Sequence, residues 1–164
     1  MKKGKSIRLY TIGILLSLCI SFLSAAEMDK DVPIGWSTVP KYGIENTIGG
    51  CNGEVVTVTT SEELKDYALR KEPYVIIANG SFSGMITVSA NKTFIGAGNC
   101  ATLRGGFFMW KEKQGNNVII RNWEITGGNR GAPIPYMEDA VTICEVHHVW
   151  VDHCNLHSCH DGLV

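Results

Sequence analysis

The feature that most constrains the fold is a short pattern that recurs with no helix between its copies. Asn91-Lys92-Thr93-Phe94-Ile95, Asn116-Asn117-Val118-Ile119-Ile120 and His147-His148-Val149-Trp150-Val151 each place two polar residues before three β-formers, at steps of 25 and 31 residues. Steps in this range belong to solenoids, in which each repeat buries its apolar face only against its neighbours. From Tyr74 onward further short β runs (YVIIANG, MITVS, AVTI) alternate with Gly, Asn and Ser. The pattern predicts an all-β, right-handed parallel β-helix. An antiparallel sandwich also has many short strands, but the segment 61–72, SEELKDYALRKE, favours the solenoid. Ser61 suits a helix N-cap, Leu64, Ala68 and Leu69 share a face, and Pro73 stops the helix. An amphipathic helix there would cap the open first coil. The longer second step leaves room for a loop at 127–138, GGNRGAPIPYME.

The first 26 residues are set apart by their chemistry. Lys2, Lys3, Lys5 and Arg8 precede an apolar run at 12–23, and Ser24, Ala25 and Ala26 supply small residues for cleavage. This is the pattern of a secretory signal, with an uncleaved membrane anchor as the alternative. The expected organisation is a signal at 1–26, a lead-in at 27–42 and a β-helix domain at 43–164, secreted and monomeric. Removing the signal takes four of the 15 Lys and Arg and none of the 16 Asp and Glu, which leaves 11 against 16, a net charge of −5. Such a chain has no basic stretch to neutralise phosphates, which excludes nucleic acid as the expected partner. Five cysteines remain, Cys51, Cys100, Cys144, Cys154 and Cys159, an odd number, so disulfides cannot use them all within this stretch.

The ordered segments NTIGGCNGEVVTVTTSEEL, NKTFIGAG, NVIIRN, EDAVTI and WVDHCNLHSCHDGLV, spanning roughly 43–164, resemble the pectate lyase family of parallel β-helix enzymes. That resemblance implies cleavage of α-1,4-galacturonan by removal of the C5 proton and expulsion of the C4 oxygen. It implies dependence on Ca2+, which lets an acidic protein hold an acidic polymer such as polygalacturonate or pectin. By the family pattern, Asp139 in EDAV and Asp161 in DGLV match calcium ligands. A third ligand falls at residue 165, beyond Val164, and Met137 stands where some members carry another acid. Glu138 beside it would point to the opposite face of a strand.

The family's proton acceptor is an arginine on a coil well past DGLV, so no catalytic base is expected within this chain. The chain is therefore expected to be the N-terminal part of the enzyme, truncated at its C-terminal end and inactive by itself. Arg70, Arg104, Arg121 and Arg130 all precede that position. Arg121 follows VII on its coil, where it could contact substrate or stand as a solvated side chain. Asp152 in WVDH matches a family carboxylate near the active centre, with a supporting role. Two alternatives share the fold: a pectin lyase independent of calcium, against which Asp139 and Asp161 speak, and a non-catalytic, secreted glycan-binding β-helix. The five histidines at 147, 148, 153, 157 and 160 suggest zinc. They lack C-x2-C partners, however, and on strands they would scatter over both faces.

Overall fold

The computed structural model describes residues 33–127 and 139–164. The signal at 1–26, the first part of the lead-in and the loop at 128–138, with Arg130, Met137 and Glu138, lie outside the described residues. Among the described residues, ten strands and one α-helix follow in chain order: β1 (Glu54–Val58), α1 (Ser61–Leu69), β2 (Tyr74–Ala78), β3 (Ser81–Val88), β4 (Lys92–Gly96), β5 (Ala101–Trp110), β6 (Val118–Arg121), β7 (Trp123–Thr126), β8 (Val141–Cys144), β9 (Val149–Asp152) and β10 (Asn155–His157). Every pairing between them is parallel. One sheet runs β1-β2-β4-β6-β9; a second runs β3-β5-β7-β10, with β8 paired to the far half of β5. The chain thus returns to the same sheet once per coil, which is a parallel β-helix and not a sandwich.

Alternation of side chains turns the ladders into a packed interior. Val56, Ile76, Phe94, Ile120 and Val151 follow one another in register across the first sheet. Phe82, Leu103, Ile125 and Leu156 do the same across the second. Phe107 meets Phe94 of the first sheet at 4.9 Å and Trp123 of its own sheet at 5.3 Å between ring centroids. All three rings are essentially buried. Burying each such side chain contributes about 1.5–3 kcal/mol.

Several expectations shift in detail. Lys92 pairs with Val118, a step of 26, so the first two copies of the repeat were aligned one residue out of register; the second and third align as read. The residues that truly stack are Asn91, Asn117 and His148, and all three are left-handed, with φ of 58°, 57° and 56°. NVIIRNWEIT is broken at Asn122 (φ 58°) into strands of different sheets, and HVWVDHCNL is broken at His153 (φ 50°) in the same way. The helix stops at Leu69, not at 72, and Leu69 is 45% exposed. Its N-cap is Thr60, whose hydroxyl accepts from the Glu63 amide while Glu63 reaches back to the Thr60 amide. Ser61 instead accepts from the Ser83 amide at 2.9 Å, tying the cap to β3.

The stretch at 33–53, turn-rich from Gly43 to Gly53, is a strap on the outside of the first sheet. Asn117, buried in that sheet, accepts from the amides of Ile48 and Gly49, each at 2.8 Å, and donates to the carbonyl of Gly49 and to Asn91. Thr93 accepts from the Gly50 amide at 2.9 Å. A side chain on Gly50 would collide with the Tyr74 carbonyl, so close backbone contact requires glycine there.

Candidate active site

Two groups of expected site residues emerge, on different sheets. The first forms where DGLV lies on EDAV. β5 bends at Gly105–Gly106, and Asp139–Ala140 pack against that bend, with the Phe107 amide donating to the Ala140 carbonyl at 2.9 Å. The next coil closes onto this turn: Ala140 donates to the Gly162 carbonyl at 3.3 Å and Val141 to the Leu163 carbonyl at 3.1 Å. The Gly162 amide in turn donates to Asp139 Oδ1 at 2.7 Å, and the Thr142 hydroxyl to Asp139 Oδ2 at 3.3 Å. Asp161, exposed, is the residue just before Gly162. Asp139 and Asp161 are thereby carried on neighbouring coils.

The Asp139 carboxylate is oriented by neutral donors, and neither Asp139 nor Asp161 takes part in an ion pair among the described residues. Uncompensated carboxylate oxygens are the donor type a hard cation such as Ca2+ takes. They are two, however, and no group of three or more acidic, His or Cys side chains close enough for a metal occurs among the described residues. The residues present fit calcium in kind and would supply only part of a shell.

The second group lies on the first sheet. Arg121 and Asp152 face each other in register on β6 and β9, and Arg121 Nε donates to Asp152 Oδ2 at 3.1 Å. The two side chains are 18% and 19% exposed, and Trp150 lies 5.7 Å from the guanidinium. His153 Nδ1 approaches the same Asp152 oxygen at 2.7 Å. Arg121 is therefore not a solvated side chain but half of a largely buried pair. Asp152 is not brought to the Asp139–Gly162 contact; it belongs to the other sheet.

The histidines also separate. His147 and His148 contact each other, His153 pairs with Asp152, and His157 Nε2 meets Glu124 at 3.2 Å. The five cysteines are free thiols here, and burial pushes the Cys154 thiol pKa up.

A residue that sequence reasoning passed over is Lys92, fully buried at the root of β4. Its ammonium donates to the carbonyls of Arg70, Glu72 and Ala90 at 2.8, 2.8 and 2.7 Å, fastening the end of α1 to the coils. Correct register would have exposed it, because Lys92 shares its inward column with Tyr74, Val118 and Val149.

The all-parallel coils, the helical cap and the strap define a protein of the parallel β-helix class. The family model for pectate lyase matches residues 43–161. A pectate trisaccharide-lyase of Thermotoga maritima is 30% identical over all of this chain and 46% of its own length. Pectate lyase plyB of Emericella nidulans is 34% identical over 82% of this chain and 38% of its own. The crystal structure of Jun a 1, the major allergen from cedar pollen, superposes with a TM-score of 0.67 at 24% identity, over 87% of this chain and 48% of that one. The chain belongs to the pectate lyase family, and it spans about half the length of the curated relatives it matches.

Proposed function

We propose that the protein is a secreted lyase that cleaves α-1,4-galacturonan by calcium-assisted β-elimination, with Asp139 and Asp161 as calcium ligands. The observation that carries this reading is the Gly162 amide on Asp139 Oδ1, which supports a site shared by two successive coils. Bound calcium would draw charge from the galacturonate carboxylate and so acidify the neighbouring C5 proton. Asp139, steered by Gly162 and Thr142, and the exposed Asp161, next to Gly162 in the chain, would hold the cation and keep the acidic polymer from being repelled by an acidic protein.

The proton acceptor in this reading is the family's arginine, which matches none of Arg70, Arg104, Arg121 and Arg130 by the family pattern. Loss of a general base by itself typically costs about 10²–10⁴-fold.

The test uses protein that includes the coil bearing that arginine. Asp139→Asn and Asp161→Asn, which keep shape and remove charge, should each raise the calcium needed for half-maximal activity about tenfold or more, since ligand charge sets calcium affinity. An unchanged calcium requirement in both variants would contradict the assignment. Equal activity in calcium and in chelator would favour the pectin lyase branch.

A further inference from the structure

The strap has a second attachment besides Asn117, and its chemistry is titratable. His148 Nε2 lies 3.2 Å from the Val39 carbonyl, and His148 Nδ1 lies 2.7 Å from His147 Nδ1. The His147 ring packs on Tyr42 with centroids 4.8 Å apart. We propose that the His147–His148 contact is a pH-sensitive latch that holds the outer strap, residues 33–44, on the coil only while no more than one of the two facing Nδ1 atoms carries a proton.

A carbonyl can only accept, so His148 Nε2 bears the hydrogen in the bond to Val39. Neutral His148 then has a bare Nδ1, and His147 must donate its own Nδ1 hydrogen to close a contact of 2.7 Å. A first added proton is compatible with this arrangement, because it goes to the far nitrogen of His147. A second must go to His148 Nδ1, which sets two N–H groups head to head and two imidazolium charges in contact. Among the described residues, the charges that act on His147 are those of His148 and Lys41, both cationic when protonated. The groups facing His147 from the strap are Lys41, a cation whose Nζ lies 5.0 Å from the Tyr42 ring, and Tyr42 itself. From the turn before β6, Asn116 accepts from the His147 amide at 2.9 Å and is uncharged. Glu145, the nearest acid in sequence, is engaged by Lys111 at 2.6 Å. Burial, with the neighbouring His148 and Lys41, pushes the His147 pKa below its ordinary value, so even one added charge is disfavoured on the closed coil.

The rest of the strap is held without titratable groups. Ile48 and Gly49 donate to the buried Asn117 side chain. Release at low pH should thus be local.

Hydrogen exchange of individual amides reads this directly. After correction for the intrinsic pH dependence of exchange, the amides of Lys41, Ile44 and Thr47, bonded to Ile44, Lys41 and Ser37, should exchange about tenfold or more faster at pH 5 than at pH 7.5. Ile48 and Gly49 should stay protected at both. His148→Asn removes the imidazole, and asparagine already holds the same left-handed conformation at 91 and 117. In that variant Lys41, Ile44 and Thr47 should exchange fast at both pH values. Equal protection of the wild-type strap at pH 5 and 7.5 would overturn the proposal. So would loss of protection at Ile48 and Gly49 in parallel with the strap, or a His148→Asn chain that keeps the wild-type pH dependence.

Discussion

Lys92 and Asn117 show how much of this fold hangs on single buried polar groups. Asn117 uses both ends of its amide on four partners, and Lys92 uses all three hydrogens on carbonyls. Replacing Lys92 by Met strands three carbonyls at about 1–3 kcal/mol each, against which removal of a buried charge recovers a part. Net destabilisation of about 2 kcal/mol or more is expected from urea unfolding at pH 7.

The same residue sets a pH dependence. Burial pushes its pKa from 10.5 down to about 8. Between those values the unfolded chain holds the proton and the folded one does not, so stability rises with pH. At about 1.4 kcal/mol per pKa unit, the gain by pH 10.5 approaches ~3 kcal/mol. The stability difference between wild type and Lys92→Met should widen by that amount from pH 8 to 10.5; a constant difference would count against it. Lys92 was illegible in the sequence because a slip of one residue moves a side chain to the opposite face of its strand. Aligned with Asn117 it looks like a polar residue before a strand; aligned with Val118 it points inward.

At the scale of elements, β5 is the instructive case. It is the longest strand, yet ATLRGGFFMW carries Gly105-Gly106 at its centre, and paired glycines in a sequence signal a turn. Here they let one strand round a corner, the first half pairing with β7 and the second with β8. Gly105 has φ 148°, and a side chain there would strike the Gly84 carbonyl. Gly105→Ala should therefore cost about 4 kcal/mol or more, or prevent folding, as the sum of backbone strain and a backbone clash. Gly98 (φ 63°) has open space around it, and Gly98→Ala should cost only about 1 kcal/mol. Thermal unfolding of the two variants distinguishes them. The helix was legible in place and function as a cap, because its amphipathic spacing and Pro73 are local signals. Its N-cap was read one residue late, and Thr60→Ala should cost about 1 kcal/mol through loss of the capping box.

For the whole molecule, the solenoid was legible from repeat spacing taken together with the capping helix, since short strands alone also suit an antiparallel sandwich. The candidate site was read only through likeness to a family. Nothing local distinguishes Asp139 and Asp161 from Asp152. What separates them is which coil face each occupies, and that depends on bends at Gly105–Gly106, Asn122 and His153 that period-two reading does not register. Once the coils are wound, Asp139 accepts from the Gly162 amide, next in the chain to Asp161, while Asp152 is paired with Arg121 on the other sheet.

The central claim is that this turn serves calcium-assisted elimination on an acidic polymer. Its most direct test is the initial rate of ultraviolet-absorbing unsaturated product from polygalacturonate, measured across a calcium titration that begins in chelator, with protein that includes the arginine coil the proposed function calls for. The account predicts no product above blank in chelator and a saturable rise with calcium. A rate in chelator equal to the rate in saturating calcium would contradict it.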